Sequence, residues 1–197
     1  FLVAELGVTH EASLEVASQM IRAAKEAGFN AVKVECIDAD RLVASDYRDA
    51  IQYSFSTLSG DTRTINYHEL LKQVSLGYDE IGELARIARA LDMPFFGTAF
   101  DIDTVAFLKS IGTCAIKISS GEIDHFPLLE AAARTGLPVF FDSGRASVVE
   151  VLMAVEALTA AGCAAPIVMH SPSGYPAPRR DVCLETMDIY RRATGLP

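Results

Sequence analysis

Two hydrophobic rhythms alternate along the chain. Short, nearly continuous apolar runs occur at 1–5 (FLVAE), 31–36 (AVKVEC), 94–100 (PFFGTAF), 114–119 (CAIKIS), 138–143 (PVFFDS) and 166–170 (PIVMH). Each is short and rich in β-branched or aromatic residues, which predicts a strand. Between them, 13–28, 77–93, 103–112, 126–136, 147–162 and 181–195 place apolar residues at helical spacing. In the first of these, Leu14, Ala17, Met20, Ile21 and Ala24 form one stripe, Ser13 is placed to cap the start and Gly28 to stop the end. Gly112, Gly136, Gly162 and Gly195 fall at the same point of the later repeats, just ahead of the next strand.

Strands that are apolar on both faces and alternate with helices predict a parallel sheet covered on both sides. The polar residues gather where the strands end: Glu5, Lys33 and Glu35, Thr98, Lys117 to Glu122, Asp142 and Ser143, and His170 to Ser173. A doubly wound sheet concentrates its chemistry at one switch point, whereas a barrel collects it from every strand end. The pattern therefore favours an α/β fold of the (β/α)8 TIM-barrel kind. A complete barrel of that kind runs to about 250 residues, so 197 residues are expected to hold only about the first six βα units. The closing "GLP" reads as the lead-in to a seventh strand, and the opening on Phe1 places the native start upstream. Residues 37–66 show no clean period and include "SFSTLSGDTRT". An irregular stretch of that length leaving a strand end is expected to be a lid over the rim.

Composition narrows the classes. Half of the residues are hydrophobic and 22% are charged, as in ordinary globular domains. The net charge of −9 argues against nucleic acid as a partner. No run approaches the roughly 20 apolar residues that span a bilayer, and no signal peptide opens the chain. Cys36, Cys114, Cys163 and Cys183 form no CxxC pair, and three of them lie in apolar surroundings. Reduced, buried thiols and a cytoplasmic location are expected.

The candidate chemistry centres on two strand lysines. Lys33 and Lys117 alternate with apolar neighbours and are expected to face the barrel mouth, with Thr98, Ser119, Ser120 and Gly121 at the same level. An ammonium in an apolar strand needs an anion. Two readings are open: each lysine closes a structural ion pair with a carboxylate of the chain, or the set forms a site for a phosphate or carboxylate ligand. Glu5 and Glu122 end strands and suit orienting hydroxyls or moving protons, although Glu122 equally suits capping a helix. His10 and His170 have no metal-ligand spacing and are assigned no metal role; His68 and His125 read as surface or helix-start residues. "SGYPAP" (173–178) is a rigid turn holding Tyr175.

Four segments carry a resemblance: "AELGVTHEASLEVASQMIRAAKEAGFNAVK", "FFGTAFD", "IKISSGEIDHFPLLE" and "MHSPSGYPAP" followed by "DV". In this order they are similar to the N-acetylneuraminate (sialic acid) synthase family, which includes legionaminate, pseudaminate and spore-coat polysaccharide synthases. The resemblance implies a TIM-barrel transferase that condenses phosphoenolpyruvate with an N-acyl-mannosamine-like aldose, giving a nine-carbon 2-keto sugar acid and phosphate. It implies that Lys33, Thr98, Lys117, Ser120, Ser143 and Ser173 contact phosphoenolpyruvate. Glu5, Glu35 and Tyr175 are implied on the sugar side, and Glu122, Lys117 and Glu5 in catalysis. It further implies a divalent metal (Mn2+ or Mg2+) whose ligands lie beyond residue 197, a C-terminal antifreeze-like domain, and a homodimer of the full-length protein. Residues 1–197 alone are then expected to be inactive.

Two departures stand against the family pattern. The usual glutamine at the end of strand two is Glu35, and "DSGR" puts Asp142 where a phosphate-contacting serine is expected. A carboxylate 4 Å from a phosphate charge costs about 4 kcal/mol at an effective dielectric near 20, or nearly three decades in affinity. Asp142 is thus expected to turn away, with Ser143 or Arg145 compensating, or else the donor site is altered. Two other functions remain beside the synthase: a class I pyruvate aldolase with Lys117 as Schiff base, and a noncatalytic sugar-phosphate-binding barrel.

Overall fold

The computed structural model describes residues 1–56, 60–164, 166–174 and 177–196. The chain forms two compact units, Phe1–Pro94 and Phe95–Pro197.

The first unit begins with β1 (Val3–Gly7), α1 (Leu14–Glu26) and β2 (Ala31–Glu35). β1 and β2 run parallel, with Glu5 opposite Lys33 and an irregularity that brings Gly7 opposite Val34. Ser13 caps α1 as its position predicts, its Oγ accepting from the Val16 amide at 3.2 Å. The stripe Ala17, Ile21 and Ala24 is buried, and α1 packs on β1 and on α4 (Tyr78–Ala90). Gly28, at φ +83°, adopts the left-handed conformation that ends the helix where the sequence placed its stop.

Residues 37–66 correct the expectation of an irregular lid. They fold into α2 (Ala39–Leu42), a 3-10 turn at Ser45–Tyr47, and the antiparallel hairpin β3 (Gln52–Ser56) and β4 (Thr62–Asn66), which leads into α3 (Tyr67–Val74). The alternation was faint because only Tyr53, Phe55 and Ile65 are apolar on one face, while Ser54 and Thr64 share a 2.8 Å hydroxyl contact on the other. Residues 57–59 lie outside the described residues. The neck of this excursion is tied at Asp40. Its Oδ1 accepts from His68 Nε2 at 2.9 Å and meets Arg48 Nη1 at 3.2 Å and Lys72 Nζ at 3.5 Å. The His68 hydrogen bond, ahead of Lys72 and Arg48, holds the Asp40 carboxyl below its ordinary range. His68 does start a helix, but it is buried rather than at the surface.

The second unit consists of β5 (Phe95–Ala99), α5 (Ile102–Ser110), β6 (Ile116–Ile118), α6 (Phe126–Arg134), β7 (Val139–Asp142), α7 (Val148–Ala160), β8 (Ile167–Met169) and α8 (Thr186–Thr194). The four strands are parallel and pair in chain order. The helices pack in series, α5 on α6, α6 on α7 and α7 on α8. Their inner faces, Leu128, Leu129 and Ala132 on α6 and Val151, Ala154 and Leu158 on α7, are fully buried, as are Ile116, Ile118 and Phe141 of the strands. Each such side chain contributes about 1.5–3 kcal/mol if an aliphatic or aromatic of Val size or larger. Ser147 and Glu150 close a reciprocal cap on α7, with Ser147 N donating to Glu150 Oε2 at 2.6 Å.

The last helix begins later than expected. Periodicity predicts its first turns at 181–185, but Arg179–Asp181 form a 3-10 turn after Pro178, and α8 starts at Thr186. Cys36 and Cys163 are buried; Cys114 and Cys183 are exposed, which corrects the expectation that most of the thiols are buried. All four are free. Among the described residues, no helix is long and apolar enough to cross a membrane.

Candidate active site

In the first unit the strand ends gather Glu5, Lys33, Glu35 and His10. Strand register sets Glu5 beside Lys33, and their charged ends form an ion pair. Glu5 Oε1 also accepts from the Gly7 amide at 2.8 Å. The Lys33 ammonium is nearly buried while Glu5 is half exposed, so Glu5 keeps a face open to solvent. Lys33 thus meets a carboxylate of the chain at this strand end.

Past β1 the loop is tightly wound: Gly7, Glu11 and Ala12 have φ of +52°, +49° and +56°. Non-glycine residues in that region carry strain of order 1–3 kcal/mol. His10 is buried in this loop, and its Nδ1 accepts from the Ala12 amide at 3.2 Å. Burial is the main reason the His10 ring is held below its usual pKa. The sequence assigned His10 no metal role, and its burial in a strand-end loop was not legible there. Glu35 ends β2, and its carboxylate adds to the effect of burial in pushing the Tyr67 hydroxyl up.

A lowered histidine pKa has a definite sign in stability. As pH falls through about 6.5 the unfolded chain takes up this proton before the folded one, so stability is full above that pH and declines below it. His10→Asn, whose amide oxygen can take over the Ala12 contact, is expected to lose less stability than wild type between pH 7.5 and 5.5. Urea midpoints at the two pH values measure this, and equal losses in both proteins would contradict it.

In the second unit Thr98, Lys117 and Phe140 stand in register across β5, β6 and β7. Thr98 and Lys117 are both buried. The Lys117 ammonium donates to the Ile118 carbonyl at 3.1 Å and forms an ion pair with Asp142. Asp142 therefore turns towards the lysine, which removes the first of the two expected alternatives and leaves an altered donor site, and Arg145 is exposed in the following turn. The cause is register: Asp142 lies two residues beyond Phe140, on the same face of β7 as the lysine's neighbour.

Ser143 is wholly buried. Its amide donates to the Met169 carbonyl at 2.9 Å, and its hydroxyl has no hydrogen-bond partner among the described residues. Gly144, at φ +51°, brings its backbone against Ser120, where an added Cβ would lie 2.8 Å from the serine Oγ and closer still to its Cβ. Ser120 and Glu122 form a 3-10 turn after β6. The Glu122 carboxylate accepts from His125 Nδ1 at 3.0 Å, and His125, not Glu122, occupies the cap of α6. Ser173 is exposed beyond β8, and Tyr175 lies outside the described residues.

His170 follows β8 with its ring 6.4 Å from that of the buried Tyr190, and both ring nitrogens are buried without a partner among the described residues. The sequence signal for it was, again, position at a strand end. Among the described residues no three His, Cys, Asp or Glu side chains come together as a metal site requires. The residues present thus do not fit the divalent ion that the family resemblance implies.

The chain is similar to known proteins over its whole length. Residues 20–197 match the model of the NeuB family. The N,N'-diacetyllegionaminic acid synthase of Legionella pneumophila is 32% identical over 201 residues, covering 100% of this chain and 55% of that protein. An uncharacterized protein of Methanocaldococcus jannaschii, MJ1065, is 29% identical over 197 residues, covering 100% of this chain and 53% of that protein. The crystal structure of the N-acetylneuraminic acid (sialic acid) synthetase of Leptospira borgpetersenii, in complex with citrate, has a TM-score of 0.84 at 28% identity, covering 100% of this chain and 62% of that one. The chain spans about half the length of the curated relatives it matches. Strand-end lysines, acids and hydroxyls on βα repeats, and a family match over most of its length, lead to one conclusion: this chain belongs to the NeuB family.

Proposed function

We propose that the chain is the part of a sugar-acid synthase that binds phosphoenolpyruvate and begins its condensation with an N-acyl amino sugar aldose. The observation that carries the reading is Lys117, a buried ammonium at a strand end beside the buried Thr98, on a unit that also holds the Ser143 hydroxyl, which has no partner among the described residues. Such a group is suited to an anionic ligand, because a cation and hydroxyl donors fixed in a water-poor setting bind oxyanions strongly. Family membership supports the reading, since relatives are named as legionaminic acid and N-acetylneuraminate-9-phosphate synthases.

Each residue then has a task. Lys117, Thr98, Ser120 and Ser143 hold the enol phosphate, with Ser173 contributing from the loop after β8. In the first unit, Glu5 and Glu35 are suited to orienting hydroxyls of the acceptor. Glu122, tied to His125, moves the proton that C–C bond formation and phosphate departure require. A divalent metal would polarise the aldehyde, and we place its ligands outside these 197 residues. The protein is proposed to act in the cytoplasm and, at full length, as a homodimer.

The test is phosphate release. Full-length protein is expected to release phosphate from phosphoenolpyruvate only when an aldose acceptor and a divalent metal are both present. Absence of release across a panel of N-acyl-hexosamines would reject the synthase. A stable adduct with pyruvate and borohydride would instead favour the Lys117 aldolase, against which stands the ammonium's ion pair with Asp142, since a nucleophilic amine must give up its proton easily.

A further inference from the structure

Lys117 exposes only 5% of its side chain and Asp142 only 18%. A buried lysine needs an anion, and here the chain provides one. The pairing follows from strand register: Lys117 faces Phe140 across β6 and β7, and Asp142 stands two residues further along the same face of β7. It is not a chance reach of two surface side chains. Immediately after Asp142 comes the Ser143 hydroxyl, wholly buried and without a partner among the described residues. Next is Gly144, whose missing side chain leaves room for Ser120. The loop therefore combines a buried hydroxyl able to serve an anion with a carboxylate already placed on the cation that would attract it.

We propose that Asp142 is a resident counter-anion of Lys117, which competes with the anionic group of the donor and makes this site selective against small free anions. The inference rests on the proposed function, because it concerns the same lysine. An incoming phosphate or carboxylate must displace Asp142 from the ammonium or lie beside it as a like charge, and both weaken binding relative to a neutral residue at this position. Ligands too small to make other contacts suffer the full penalty. Asp142 is in this sense a specificity-determining residue.

Calorimetric titration of the full-length protein with inorganic phosphate and with phosphoenolpyruvate tests this at one pH and ionic strength. Asp142→Ser and Asp142→Asn are each expected to tighten binding of inorganic phosphate tenfold or more and of phosphoenolpyruvate by a smaller factor, so that the preference for phosphoenolpyruvate falls. Asp188→Ser, which removes the same charge from an exposed position on α8, is expected to change neither. Lys117→Met combined with Asp142→Ser is expected to abolish the gain. Circular dichroism and urea midpoints establish that each variant is folded.

The possible results separate cleanly. If phosphoenolpyruvate binds wild type and both Asp142 variants equally, the counter-anion is overturned while the donor site stands. If folded Asp142 variants and wild type all fail to bind either anion, the donor-site reading falls and takes this inference with it. Equal tightening by Asp188→Ser would reduce the effect to net charge and overturn the proposal. Loss of fold in both Asp142 variants would overturn it too, since the pair would then be structural rather than displaceable.

Discussion

Lys117→Met is expected to lower stability by about 3 kcal/mol, because it strands the Asp142 carboxylate without its cation. The value sits at the low end of the usual range for breaking a buried pair, since Asp142 keeps some contact with water. Methionine fills nearly the same volume, so little of the loss comes from packing. Adding Asp142→Asn removes the stranded charge and should restore most of the stability. Urea denaturation of wild type, the two single variants and the double variant yields the coupling between the residues. A double variant no more stable than Lys117→Met alone would show that the carboxylate is not the source of the loss. On the proposed function, neither Lys117 variant should support phosphate release from phosphoenolpyruvate, however well the double variant folds.

Gly144→Ala is the second large effect. A left-handed backbone costs an L-residue roughly 1–2 kcal/mol, and the new methyl group would collide with Ser120. Overpacking of that kind adds about 1–3 kcal/mol. The combined loss is expected to be roughly 2–5 kcal/mol. Ser120→Gly in the same chain should relieve the collision but leave the backbone strain, recovering about half. If Ser120→Gly recovers nothing, the close approach of the two loops is not what Gly144 serves. The comparison matters for function because the two loops carry Ser120 and Ser143, both proposed donors to the anion.

The sequence made the repeat legible wherever a rule is local. Ser13 caps α1 and Gly28 ends it because capping and left-handed geometry depend on a few neighbouring residues. The apolar runs marked all six parallel strands, with ends displaced by a residue or two. The β3–β4 hairpin was hidden because its apolar face is narrow, and its pairing is visible only once two strands meet. Residues 181–185 look helical by period, yet the turn after Pro178 delays the helix.

The candidate site divided in the same way. Which residue types stand at the strand ends could be read directly. Which carboxylate meets which lysine could not, because Glu5 and Lys33, and Lys117 and Asp142, are joined by strand register and not by sequence proximity. The isolation of Ser143 and His170 from any partner among the described residues was equally invisible, since satisfaction of a buried polar atom is a property of packing.

The tie at Asp40 has an evolutionary consequence. His68, Arg48 and Lys72 fasten the detour between β2 and α4 at its base, so a change in length beyond this tie leaves the base in place. Lengthening an open connection is cheap, about 0.6 kcal/mol for each doubling. Insertion into the connection between β3 and β4 is therefore a change that evolution can try at little expense in stability.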